Sequence, residues 1–182
     1  MAGLTQAAKH ELLRLARSSI EEALRGHPPG RSKPANPSLL QAHGAFVTLR
    51  VGGELRGCIG TLLAPGPLYQ TVAKMARAAA FEDPRFPPLS KEECGEVELE
   101  ISVLTPLKKL DDPERIEVGR HGLCITRGRS GGVLLPQVAT EQGWDRIRFL
   151  EETCRKAGLP RDAWKSGADI SIFEAEVFGE EG

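Results

Sequence analysis

Residues 45–60 read AFVTLRVGGELRGCIG, two runs of β-forming residues on either side of Gly52-Gly53. A two-residue hairpin turn needs positive φ at both central positions, which glycine adopts without strain. The segment therefore predicts a β-hairpin that turns at these two glycines. A strict two-residue turn would place Cys58 beside Val47 and Arg56 beside Leu49, which mixes polar and apolar side chains on one face of the hairpin. The pattern therefore also indicates a bulge near Gly57.

Hydrophobic periodicity predicts the other elements of the chain. Apolar residues at three- and four-residue steps predict helices over 5–25 and 68–83, and a third helix that begins after Asp145. Alternating apolar and polar residues predict strands over 97–105 and 169–178. Shorter strands are predicted over 115–118, 123–127 and 132–136. Helices and strands do not alternate one for one, so the predicted class is α+β, with antiparallel sheets and flanking helices.

The length of the chain, 182 residues, fits a single domain over 1–182. A hydrophobic content of 40% is sufficient to fill a core. Residues 27–42 are rich in proline and polar side chains, so we expect an exposed linker after the first helix.

Composition and missing motifs argue against several classes of protein. The formal net charge is −1, which argues against general nucleic-acid binding. No long apolar run or secretory leader is present, so we expect no membrane contact and a cytoplasmic location. The four cysteines form no CxxC pair, and the common nucleotide-, zinc- and serine-hydrolase motifs are absent, so we expect no metal and no cofactor.

The first candidate site is LRGCIG, residues 55–60. Arg56 and Cys58 are two residues apart on a predicted strand, and a nearby cation favours a reactive thiolate in general. Gly57 and Gly60 would let backbone approach a ligand closely. The segment therefore either contains a reactive cysteine or forms an anion-binding strand. The alternative is that Cys58 is a small buried hydrophobe and that the glycines serve a bulge.

The second candidate is DPRFPP, residues 83–88, in which prolines fix an acid, an arginine and an aromatic ring. Such a rigid loop could form the wall of a ligand site, with Arg85 and Phe86 as contacts. The alternative is a structural pair between Asp83 and Arg85 that tucks Phe86 under the preceding helix.

Two further candidates lie later in the chain. His121 stands between glycines, where it could transfer protons or simply occupy a turn. Glu141 and Trp144 flank Gly143 and could form the polar edge of a pocket. The alternative places Trp144 in the core as an anchor and Asp145 at the N-cap of the next helix.

The segments LRGCIG, RFPP and LLPQVATEQGWD, in this order, resemble the AMMECR domain family, of the AmmeMemoRadiSam system protein A type. The resemblance covers nearly the whole chain. It implies an α+β fold of two intertwined lobes, one larger and one smaller, with LRGCIG lining a cleft between them. The chain is similar to the prokaryotic members, which are grouped with a Memo-like protein and a radical-SAM enzyme.

The resemblance implies no single reaction, so the expected function combines it with the residues. We expect an enzyme or enzyme component that binds a small polar or anionic ligand. Cys58 would be the nucleophile or a contact thiol, and His121 or Glu141 would move protons. The expected ligand contacts are Arg56, Gly57, Gly60, Arg85, Phe86 and Trp144.

Two alternatives from other classes stay open. The chain could be a noncatalytic module that docks the Memo-like or radical-SAM protein through LRGCIG and RFPP. It could also be a nucleic-acid-associated regulator with a local basic patch.

Overall fold

The computed structural model describes residues 3–30 and 32–180, which divide into two compact units. The larger unit contains the described residues up to Leu104 and those from Glu176 onward, and the smaller unit is Thr105–Ala175. The chain therefore leaves the larger unit after Leu104 and returns to it at Glu176.

The described residues form four α-helices and seven strands, and the predicted α+β class is confirmed. None of the helices described is long and apolar enough to cross a membrane. In chain order the elements are α1 (Gln6–Leu24), β1 (Ala45–Val51), β2 (Glu54–Thr61), α2 (Leu68–Phe81), β3 (Val97–Leu104), β4 (Lys108–Lys109), β5 (His121–Arg127), β6 (Ser130–Leu134), α3 (Pro136–Glu141), α4 (Arg146–Lys156) and β7 (Asp169–Gly179).

The larger unit is an antiparallel sheet with two helices packed together, α1 and α2. Its strand order is β2-β1-β3-β7, so β2 is an edge strand. The hydroxyl oxygen of Thr5 accepts from the backbone N–H of Ala8 and caps α1 as predicted. Alternate residues of β1 and β3, such as Val47 and Ile101, are fully buried in the same core as the helices.

The predicted hairpin and its bulge are both confirmed. Gly52 and Gly53 have φ angles of 59° and 82°. Leu49 pairs with Gly57, but the next residue of β1, Arg50, pairs with Leu55. Arg56 is therefore the extra residue of the bulge, which changes the direction of its side chain relative to a regular strand.

The smaller unit has its own core, which is built on the remaining strands of the sheet. β5 pairs antiparallel with β6 and with β7, and β4 adds to β7. Asp145 Oδ1 accepts from the N–H of Arg148 at 2.7 Å, so the predicted N-cap of α4 is confirmed. Phe149 and Leu150 of α4 are fully buried against this sheet.

Two segments differ from the predicted pattern. The strand predicted over 115–118 is wrong, because Pro113–Arg115 form a 3₁₀ turn capped by the side chain of Asp112. The segment 27–42 is largely exposed where it is described, but Leu39 is fully buried. A 3₁₀ turn over Pro37–Leu40 carries Leu39 into the core of the larger unit.

The close contact at Gly57 gives a stability prediction. A Cβ atom at Gly57 would lie 2.2 Å from the carbonyl oxygen of Ala79 in α2. We expect Gly57→Ala to lower the free energy of unfolding by about 1–3 kcal/mol, because the strand and helix must move apart. Urea denaturation at neutral pH measures the difference. Gly95→Ala, where a Cβ meets open space, should change stability by about 0.5 kcal/mol or less, and equal effects would contradict the prediction.

Candidate functional site

Cys58 lies half-buried on the edge strand β2. Since Gly57 faces α2, the side chain of Cys58 leaves the other face of the sheet. It lies beside Thr48 of β1, whose hydroxyl donates to the sulfur at 3.3 Å. The thiol is therefore held by the sheet and is not sealed inside the helix-covered core.

The backbone N–H of Cys58 donates to Asp83 Oδ2 at 2.9 Å. An edge strand leaves such donors without a strand partner, and here a carboxylate satisfies one of them. Asp83 follows the end of α2 and is 4% exposed. This hydrogen bond joins LRGCIG to DPRFPP.

The carboxylate of Asp83 also accepts three bonds from Arg85. Oδ1 accepts from the backbone N–H and from Nε, at 3.1 and 3.0 Å, and Oδ2 accepts from Nη2 at 2.8 Å. The Arg85 guanidinium and these hydrogen bonds hold the pKa of Asp83 well below its usual range, despite burial. The predicted Asp83–Arg85 pair is confirmed. Because Oδ2 of Asp83 accepts from both Arg85 Nη2 and the Cys58 N–H, the guanidinium and the Cys58 backbone are bound to the same oxygen atom.

Arg56, the bulge residue, is bound on several sides. Its Nε and Nη2 donate to the two carboxylate oxygens of Glu93 at 3.0 and 3.1 Å, and Nη2 also donates to the carbonyl of Pro87. Hydrogen bonding to Arg56 lowers the pKa of Glu93 to about 2. Nη1 is buried and has no partner among the described residues. Arg56 therefore braces the proline loop against β2.

Phe86 lies close to both guanidinium groups. The Cζ atoms of Arg56 and Arg85 are 5.9 and 5.5 Å from its ring centroid, within cation–π range. The side chain of Arg85 is 55% exposed, whereas that of Arg56 is 11% exposed. Two arginines face two carboxylates, and Arg85 is the cation that solvent can reach.

The glycines of LRGCIG have packing roles of their own. A Cβ atom at Gly60 would lie 2.2 Å from a ring atom of Phe46 on β1. Gly57 is in similarly close contact with α2. Both positions therefore require glycine, because neighbouring atoms of the larger unit leave no space for a Cβ atom. Their expected contribution to ligand binding stays a prediction.

The remaining predicted site residues lie in the smaller unit. His121 begins β5 and is buried, and its Nδ1 accepts from the backbone N–H of Glu117 at 3.0 Å. Glu141 ends α3 and is exposed. Trp144 is half-buried and packs against the core of the smaller unit, in agreement with the alternative that it is a core anchor. The structure thus brings together Arg56, Cys58, Arg85 and Phe86 in the larger unit, and the roles of His121 and Glu141 stay predictions.

Sequence reasoning missed Glu93 and Thr48 as members of the site. Ser90 and Glu93 exchange hydrogen bonds as a capping box, a pattern visible as S-x-x-E in the sequence. That pattern locates a turn but gives no sign of the ion pair with Arg56. Within the ranges 3–30 and 32–180, no cluster of three or more potential ligands could hold a metal ion.

Comparison with known proteins identifies the family. The AMMECR1 family profile matches residues 13–178. The chain is 47% identical over 180 residues to a protein of Methanopyrus kandleri, covering 93% of this chain and 87% of that one. It is 42% identical over 178 residues to a protein of Aquifex aeolicus, with 93% and 91% coverage. The chain belongs to the AMMECR1 family, which confirms the resemblance to the AMMECR domain family.

A solved structure shares the fold. It is described as the uncharacterized protein PH0010 from Pyrococcus horikoshii and is 43% identical to this chain. The TM-score is 0.88, and the match covers 93% of this chain and 90% of that one.

The two lowered pKa values predict how stability depends on pH. A carboxylate whose pKa is lower in the folded state stabilises the fold above its unfolded pKa, and that stability is lost as the pH falls through the folded pKa. For Glu93 this interval runs from about pH 4.5 to about 2. For Asp83 it extends further into acid.

We expect Asp83→Asn to lower the free energy of unfolding at pH 7 by about 1–3 kcal/mol, because charged hydrogen bonds are lost. Its stability should also fall less than that of the parent protein between pH 5 and 2. Urea midpoints measured across this interval test both statements. The exposed Glu96→Gln serves as the control, and parallel pH profiles for Asp83→Asn and the parent would contradict the assignment.

Proposed function

We propose that the surface formed by Cys58 and Arg85 binds a small anionic ligand, as part of an enzyme or enzyme component. One observation carries the proposal: Asp83 Oδ2 accepts from both the Cys58 backbone and the Arg85 guanidinium. This shared oxygen fixes a solvent-exposed cation beside a half-buried thiol.

The bonds of Arg85 decide which part of it can meet a ligand. Nε and Nη2 donate to Asp83, which orients the guanidinium and leaves Nη1 for an outside acceptor. A guanidinium fixed by a buried carboxylate loses little side-chain entropy when it binds an anion. Arg56 supports the loop through Glu93, so we assign the ligand contact to Arg85.

Cys58 contributes the reactive atom in this proposal. Its sulfur accepts a hydrogen bond from Thr48, and no histidine or carboxylate side chain bonds to it among the residues described. A thiol in this setting can contact a polar ligand. It can also attack an electrophilic ligand that the cation has positioned, in which case the thiol gives up its proton, a carbon–sulfur bond forms, and the bond from that carbon to its leaving group breaks. His121 and Glu141 remain the proposed proton-transfer groups, on sequence grounds alone.

A pair of alkylating reagents tests the arrangement. Iodoacetate and iodoacetamide both form a thioether and release iodide, but only iodoacetate carries an anionic group. We expect the iodoacetate-to-iodoacetamide rate ratio at Cys58 to exceed that at Cys94 by about tenfold, because a charge pair near the surface is worth about 1–4 kcal/mol. Peptide mass spectrometry resolves the four cysteines.

Arg85→Gln should remove this preference, whereas Arg129→Gln, at an exposed arginine in the turn between β5 and β6, should leave it unchanged. Equal ratios at Cys58 and Cys94 in the parent protein would refute the anion site. Native mass spectrometry of the protein and of Cys58→Ser after incubation with a metabolite extract then identifies the ligand class.

A second candidate function is docking of a protein partner, and the exposure of the proline loop favours it. Arg85, Pro87 and Pro88 are exposed, while the loop backbone is tied down by Leu89, which donates to the carbonyl of Ala80 at 2.8 Å. Rigid exposed prolines beside an arginine suit a recognition surface, since little entropy is lost on binding. The family resemblance suggests the Memo-like and radical-SAM proteins as partners.

Substitutions separate the two candidate functions. If the loop docks a partner, Arg85→Ala should reduce capture of the purified Memo-like or radical-SAM protein by about tenfold, because arginine anchors carry much of the energy of an interface. Cys58→Ser should leave capture unchanged. Docking at this loop would be refuted if both variants captured the partner as well as the parent protein does, or if the parent protein captured no partner.

A further inference from the structure

A groove of about 740 Å³ lies between α1 and the last residues of β7, all within the larger unit. Leu13 and Phe178 supply its apolar surface, and Val177 and Gly179 form part of its rim. Its lining includes no residue of LRGCIG or DPRFPP, so it is separate from the site described above. We call it the β7-edge groove.

One edge of β7 is open at this groove. The N–H of Glu180 donates to the carbonyl of Leu99 on β3 at 3.0 Å. Successive residues of a strand direct their backbone groups to opposite sides, so those of Val177 and Gly179 point away from β3. On that side β5 pairs with β7 only as far as Glu174, and no other described strand continues the ladder. Val177 and Gly179 are both exposed.

The helical wall of the groove carries a stripe of exposed side chains at four-residue spacing. None of them makes a hydrogen bond or an ion pair within the ranges 3–30 and 32–180. They are Gln6, His10, Arg14 and Ser18.

The other charged groups of the groove are already paired. Lys9 Nζ lies 2.8 Å from Glu176, and Arg17 Nε donates to Glu180 at 2.7 Å. Glu21 pairs with Arg25. The charge left for a ligand is therefore positive, from Arg14, and the imidazole of His10 beside it is free to donate a hydrogen bond.

The stripe matches an extended peptide in length. From Gln6 to Ser18 the helix rises about 18 Å, and seven extended residues, which are six steps apart end to end, span about 20 Å. Alternate side chains of a strand are about 6.6 Å apart, close to the rise of about 6 Å over four helical residues. A strand paired with β7 would therefore bring its alternate side chains to successive members of the stripe.

We propose that the β7-edge groove binds an acidic peptide of about seven extended residues, which adds to the open edge of β7 as a further strand. The backbone groups of Val177 and Gly179 pair with the peptide backbone, and alternate peptide carboxylates meet His10 and Arg14. Edge strands are known templates for such addition, in which main-chain hydrogen bonds give affinity and side chains give specificity.

Fluorescence anisotropy with the full chain tests the proposal. The probe is a labelled peptide of about seven residues in which aspartate and valine alternate. We expect it to bind, and the same peptide with lysine in place of aspartate not to bind. N-methylation of alternate peptide amides should weaken binding by about tenfold or more, because it removes strand pairing. Arg14→Glu should weaken it by about tenfold, and the exposed Lys74→Glu on α2 by about twofold or less.

Amide hydrogen exchange distinguishes strand pairing from binding by charge attraction alone. In the complex, the amides of Val177 and Gly179 should exchange about tenfold more slowly, while the amide of Glu180, already bonded to Leu99, stays unchanged. No binding of the aspartate peptide at about 1 mM would overturn the proposal. Equal binding of the N-methylated peptide would overturn it in favour of an anion site, and a dimer that the peptide dissociates would assign the edge to a second copy of the chain.

Discussion

The carboxylate of Asp83 is the interaction on which the candidate site depends. A buried carboxylate is unfavourable unless it is paired and hydrogen-bonded, and this one accepts from a guanidinium and from two backbone N–H groups. It ties the edge of β2 to the loop that follows α2. Displacing the loop would leave both a buried charge and an edge-strand donor without partners. The two motifs therefore form one structural unit, although 22 residues, 61–82, separate Gly60 from Asp83.

The sequence predicts best what local chemistry decides. The glycine turn, the bulge and the Asp145 cap follow from backbone preferences of a few adjacent residues, and all three are present. The Asp83–Arg85 pair is also local. The strand expected over 115–118 fails for a similar reason, because a capped turn beginning at Pro113 outweighs the β-forming residues that follow.

The candidate site is less predictable because its contacts are tertiary. No spacing rule connects Arg56 with Glu93, or the Cys58 backbone with Asp83, since both contacts require β2 and the end of α2 to be packed first. The hallmark glycines illustrate the same point. Gly57 and Gly60 are explained by close contacts with Ala79 and Phe46, so a loss of activity on substitution there would not distinguish packing from binding. The exposed Arg85 is the residue at which function and stability can be separated.

The path of the chain has a consequence for biosynthesis. The sheet of the larger unit includes the end of β7, which follows the entire smaller unit in the chain. During translation, a ribosome therefore releases α1, the hairpin and β3 before the strand that completes their sheet exists. Until then the outer edge of β3 is unpaired, so the nascent protein must keep an incomplete sheet from associating with other chains while the smaller unit is still being made.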